Sequence, residues 1–146
     1  MPQIRAREIA EAIAAAAPTE GPGGMPIVKT RAYYDPAKIG GDEIRLNIYP
    51  TTRRKTRTGK NKTTETDFEI VIQRKTNPTD TAAIDQMVDF VDDLDALFET
   101  AGPMAEANYK TSEDTAYLWL PEELHRRNLF VAILPLTYQF SQALGT

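Results

Sequence analysis

Six cations, Arg53, Arg54, Lys55, Arg57, Lys60 and Lys62, occupy ten consecutive positions within the stretch TTRRKTRTGKNKTTET (51–66), with no acid among them. Such a tract does its chemistry through charge. It can meet the phosphates of a nucleic acid, dock on an acidic protein surface, or simply solvate the tip of a loop. Its setting is acidic: residues 44–62 hold seven basic groups, Arg45 included, and no acid, which leaves ten basic and 21 acidic groups elsewhere in the chain. A partner that feels this field is steered to one edge of the molecule.

A second group, Asp85, Asp89, Asp92, Asp93 and Asp95, could suggest a magnesium site, since Asp85, Asp89 and Asp92 fall on one helix face. Metal sites draw ligands from more than one element, so the reading adopted is a solvated acidic face. Like charges at i and i+4 cost about 0.2–0.5 kcal/mol per pair, so this face gains from a basic neighbour. The single histidine, His125, stands beside Arg126 and Arg127, whose charges oppose both its protonation and a metal, and it reads as a surface residue. With no cysteine there is no disulfide, no thiolate zinc site and no cysteine nucleophile. The sequence has no P-loop, GxGxxG, HExxH or GxSxG motif. No catalytic residue, cofactor or metal is assigned, and the protein is read as a non-enzyme.

The elements that must carry these groups follow from periodicity. Ile4, Ile9 and Ile13 among alanines predict a helix over 3–17, stopped by Pro18. The stretch PTEGPGGMP (18–26) reads as a hinge loop. IVKTRAYY (27–34) has strand composition and YDPAKIGGD (34–42) is turn-rich. In EIRLNIY (43–49), Ile44, Leu46 and Ile48 alternate with Arg45, Asn47 and Tyr49, which predicts a strand with one wet face, ended by Pro50. In TDFEIVIQRK (66–75), Phe68, Ile70 and Ile72 repeat the pattern. The basic tract therefore lies between two strands as a hairpin arm (50–65), polar enough to be mobile when alone.

Ile84, Met87, Val88, Val91, Leu94 and Phe98 form a continuous stripe on a helix over 81–100, about 30 Å long. NPTD (77–80) caps its start, and Gly102 and Pro103 end it. A loop (103–113), a short strand (115–120) and about one helical turn at 121–127 follow. The last stretch, NLFVAILPLTYQF (128–140), is apolar on both parities over part of its length, which predicts a central strand with a bulge at Pro135. The fold class is α+β: a twisted, mostly antiparallel sheet of about five strands with two helices, the second packed across one face, in a single domain (1–146).

Composition is that of a globular chain, 41% hydrophobic and 26% charged, and no apolar run reaches the roughly 20 residues of a membrane span. Arg5 and Arg7 before IAEAIAAAAP loosely mimic a signal peptide, but Glu8 and Glu11 interrupt it, so an amphipathic helix and a cytoplasmic location are expected.

The layout resembles the tail-terminator (tail-completion, head-tail joining) proteins of long-tailed bacteriophages. The resemblance rests on the amino-terminal AEAIAAAA helix, the pair IRLNIYP and DFEIVIQRK separated by a polar arm, the helix IDQMVDFVDDLDALF, and the closing strand LFVAILPLTYQF after a charged turn. It spans nearly the whole chain as element order and texture.

The resemblance implies a structural virion protein at the head-proximal end of the tail. Six copies form a hexameric ring on the tail tube, stop polymerisation of the major tail tube protein and present a surface to the head-completion or connector protein. Genomic DNA passes through the lumen, no membrane is involved, and assembly takes place in the host cytoplasm. Six arms with six cations each would set about 36 charges around sliding DNA, a grip that makes a poor conduit. The expectation is therefore an arm that docks mainly on protein, either the Asp85, Asp89 and Asp92 face of the next subunit or the tube end. A small nucleic-acid-binding protein that uses the hairpin as a clamp is the alternative, and another connector or tube protein of the neck or tail is a third.

Overall fold

The computed structural model describes residues 5–31, 39–110 and 118–143. Its elements are α1 (Ala6–Ala16), a 3-10 turn (Pro22–Gly24), β1 (Ile27–Thr30), β2 (Ile44–Thr58), β3 (Asn61–Lys75), α2 (Thr81–Thr100), β4 (Asn108–Tyr109), β5 (Leu118–Trp119), α3 (Pro121–Arg127) and β6 (Leu129–Ala143). They form an α+β fold around one mixed six-stranded sheet, ordered β1-β2-β3-β6-β4, with β5 also on β6. Only β1 and β2 run parallel. The fold class is the one expected, with six strands in place of five and three α-helices in place of two. The expected helix start at 3–4, the strand and turn residues 32–38, the loop end 111–113 and the strand start 115–117 lie outside the described residues.

Helix α2 occupies 81–100 as its stripe predicts, because its ends are chemically fixed. Asp80 Oδ1 accepts from the Ala83 N–H at 3.1 Å, satisfying one of the first-turn donors, and Gly102 beyond its end takes the left-handed conformation (φ +88°). It buries Met87, Phe90, Val91, Leu94 and Phe98, while Ile84 and Val88 are only half-buried. Helix α3 runs for seven residues, longer than the expected single turn, closed by Asn128 in the left-handed conformation (φ +50°).

One face of the sheet carries α1 and α2. Ile44, Leu46 and Ile48 of β2, Phe68, Ile70 and Ile72 of β3, and Leu134 and Leu136 of β6 form a single core with Ile9 and Ile13 of α1 and the buried side of α2. Burying each such side chain stabilises the fold by about 1.5–3 kcal/mol. The opposite face, expected to be wet, is dry over part of its length. There Val71, Leu129 and Val131 cluster with Ile39, and Asn47 Nδ2 donates to Gln73 Oε1 (2.8 Å) and Val71 O (3.2 Å).

Both proline expectations are corrected. Pro50 does not end β2: the strand passes through a bulge between Pro50 and Thr52 and continues to Thr58. No bulge breaks the pairing at Pro135, which sits opposite Glu69 in unbroken register. On the outer edge of β6, Val131 O accepts from the Leu120 N–H and Thr137 O from the Lys110 N–H. The same parity turns the Pro135 nitrogen to that edge, between β5 and β4, so its missing donor costs no bond to β3.

The arm at 50–65 is a hairpin, β2 pairing antiparallel with β3 up to Thr58 opposite Asn61, and a third strand joins it: β6 lines β3 along its whole length, from Leu129 opposite Lys75 to Ala143 opposite Asn61. The turn is confined to Gly59 (φ +60°) and Lys60, and the result is a three-stranded ribbon. The hinge at 18–26 is likewise tied down, by Gly21 N–H to Met25 O (2.8 Å) and Ile27 N–H to Thr19 O (3.1 Å). Gly21 lies close against the sheet here: a Cβ at this position would run into Ile44 Cδ1 and displace the tip of that side chain. No helix among the described residues is long and apolar enough to cross a membrane.

Candidate functional site

The bulge decides where the cations point. Side chains alternate along a strand, so an unbroken β2 would place Arg53, Lys55 and Arg57 on the same face as Arg45, Asn47 and Tyr49. One extra residue between Pro50 and Thr52 reverses the parity. Beyond it, Arg53 lies opposite Thr66, Lys55 opposite Thr64 and Arg57 opposite Lys62, on the helix-bearing face in line with Phe68, Ile70 and Ile72.

The six cations of the tract are therefore not one set. Arg53, Lys55, Arg57 and Lys62 share a face, Lys60 sits in the turn, and Arg54 points the other way. On that other face Arg54 Nη2 donates to Asp67 Oδ1 (3.0 Å) and Glu65 Oε2 (3.2 Å), and Nη1 donates to Asp67 Oδ2. Lys110 Nζ reaches Glu65 Oε1 at 2.6 Å, and the Thr137 hydroxyl donates to Asp67 Oδ1 at 2.8 Å. Every charge in this network has its partner. The Arg54 guanidinium holds the Asp67 carboxyl below the usual carboxylate range, and Lys110 does the same to Glu65, with Arg54 adding to it. Conversely, the two carboxylates hold the Arg54 proton more tightly than usual.

The helix-bearing side of the ribbon has a different composition. Its strand positions from 53 outward are Arg53, Lys55, Arg57, Lys62, Thr64, Thr66, Tyr138, Phe140 and Gln142, without a single acid. Lys55 lowers the pKa of the Lys62 ammonium, with burial, Arg57 and Arg53 adding to it. Cations so arranged repel one another in the free protein, and a polyanion or an acidic surface relieves the repulsion. Thr64 and Thr66 are buried beneath them, and Tyr138, edge-on to Phe68 (6.3 Å) and Tyr109 (5.7 Å), marks where the apolar core gives way to the charged face. Burial raises the Tyr138 phenol well above its ordinary pKa, which keeps it neutral.

No protein-family model matches this chain, and no curated protein matches it either. The site is accordingly read from its own geometry.

The acidic residues stand apart from the ribbon. Asp85, Asp89 and Asp92 are all exposed on α2, and among the described residues no group of His, Asp or Glu is arranged to hold a metal ion. Of the three, Asp89 lines a cleft of about 460 Å³ between the 18–22 loop and α2. Phe90, Leu94 and Leu97 line it with Pro18 and Pro22, while Glu20, Asp89 and Asp93 supply carboxylates. Asp93, four residues after Asp89, belongs to the acidic group already seen in the sequence, whereas Glu20 was not singled out there. Glu20 joins through the loop's return onto β1, which has no periodic signal. His125 is exposed on α3, between Glu122 and Glu123 of its first turn and Arg126 and Arg127 of its last.

Proposed function

We propose that the protein is a structural assembly subunit that joins copies of itself into a ring, in the manner of a tail terminator. The ring caps the tail tube, ends its polymerisation and joins the tail to the head connector. The observation that carries this reading is the rigid three-stranded ribbon with four cations on one face and no acid among the strand positions of that face. β3 is paired on both sides and holds the cation-bearing end of β2 along its inner edge, so the ribbon is a preformed docking element whose ordering has already been met by the fold. The whole-chain resemblance in element order supplies the ring, the tube and the connector, with genomic DNA in the lumen.

The nucleic-acid clamp draws on the same cations. It is less favoured because Arg54 is committed to Asp67 and Glu65, and because no exposed aromatic is interleaved with Lys55, Arg57 and Lys62 for base stacking. Native mass spectrometry and electron microscopy of the purified protein test the assignment. A closed ring of one stoichiometry is expected, with little retardation of duplex DNA at about 150 mM salt. A monomer that retards DNA strongly at that salt contradicts it, and open polymers of the chain would make it a tube protein.

A further inference from the structure

We infer that the cationic face of the ribbon in one copy seats in the acid-lined cleft beside α2 of a second copy, as a head-to-tail contact. The inference rests on the ring-forming reading above and names the surfaces that make it. Two chemistries match. The cleft has an apolar floor (Phe90, Leu94, Leu97) bordered by Glu20, Asp89 and Asp93. Lysine and arginine are the side chains that fit such a place, since their carbon stems cover apolar surface while their charged heads reach outward. An arginine over Phe90 would add a cation–π contact.

Lys55, Arg57 and Lys62 present those side chains from one rigid face, and none of the ion pairs among the described residues joins them to Glu20, Asp89 or Asp93 of their own chain. The ribbon cannot fold back to make those pairs, because β3 is hydrogen-bonded on both sides to its end. The cleft is preformed as well: its loop wall is held by the Glu20 to Pro26 bridge and by Gly21 against Ile44. Because the two surfaces differ, the contact is heterologous, and repeating it closes a ring if the rotation allows.

Charge reversal tests this with a result that a general electrostatic effect does not give. One variant carries Lys55→Glu, Arg57→Glu and Lys62→Glu; the other carries Glu20→Lys, Asp89→Lys and Asp93→Lys. These positions lie on the surface, and circular dichroism checks that both variants fold. In sedimentation velocity at about 150 mM salt, each variant alone is expected to associate at least about a hundredfold more weakly than the unmodified chain. An equimolar mixture should recover association, because the reversed ribbon meets the reversed cleft and the unmodified ribbon meets the unmodified cleft. Native mass should then show equal numbers of the two variants.

Variants that each assemble like the unmodified chain overturn the inference, and if the assemblies are closed rings the ring reading survives it. Open filaments that both reversals abolish and the mixture restores keep the contact and overturn the ring. An unmodified chain that is monomeric at its highest soluble concentration overturns the contact. So does a monomer that binds DNA through the ribbon charges alone.

Discussion

The same three strands make two different structures along their length. In the first half, near Ile44, Ile72 and Ala132, β2, β3 and β6 lie under two helices and are held by apolar burial. In the second half, near Arg57, Lys62 and Gln142, the strands carry polar and charged side chains on both faces, and β2 is exposed from 51 to the turn. What keeps the second half in register is local: the ladder to β6, the paired hydroxyls of Thr63 and Ser141 (2.9 Å), and the Arg54, Asp67, Glu65 and Lys110 network. The comparison teaches that the two faces of the ribbon differ in charge balance: on one, Arg54 is neutralised by Asp67 and Glu65, and on the other the strand positions hold cations and no acid.

The largest way to break this comparison is to remove a side chain from the packed half. Phe68 is fully buried, and Phe68→Ala should lower the unfolding free energy by about 3–5 kcal/mol in urea titration. No single change at an exposed ribbon position should approach that loss. A smaller effect sharpens the second half. Asp67→Asn should cost on the order of 1 kcal/mol, the interaction being discounted because Arg54 faces solvent.

That carboxyl also gives the ribbon a pH dependence with a definite sign. The folded-state pKa values of Asp67 and Glu65 are depressed, so their stabilisation is complete above the ordinary carboxylate range and is lost as pH falls through the folded values. Thermal melts should therefore lose stability on acidification below roughly pH 4, less steeply in Asp67→Asn. The smallest effect has the opposite direction. Lys62→Thr removes a cation from a self-repelling face and should raise the melting temperature slightly at low ionic strength, with the gain vanishing in high salt. If the gain persists in high salt, the repulsion is not its source.

Much of the packed half was legible because it is periodic. The alternation of Ile44, Leu46 and Ile48, the stripe from Met87 to Phe98, and the two-sided apolar run of β6 each name their partners by spacing alone. Phe90 was missed because it lies off the main stripe yet closes the side of α2 toward the 18–22 loop. The ribbon was less legible for a physical reason. Its composition is that of a loop, and only pairing with β6, remote in sequence, makes it a strand. The direction of its cations depends on one extra residue after Pro50, and proline at that point signals either an end or a bulge. The cleft lay beyond reach because Glu20 comes to the side of α2 only through the loop's return along Met25 to Ile27.

The length of β6 has a consequence for the order in which the molecule forms. Residues 61–75 make one of their two ladders with residues 129–143, so β3 has only β2 beside it until nearly seventy further residues have been made. During that interval the cations sit next to a strand whose other edge is open until β6 covers it. The ribbon should thus be among the last parts to gain hydrogen-exchange protection, and its cationic face is completed only when the remainder of the chain is already in place.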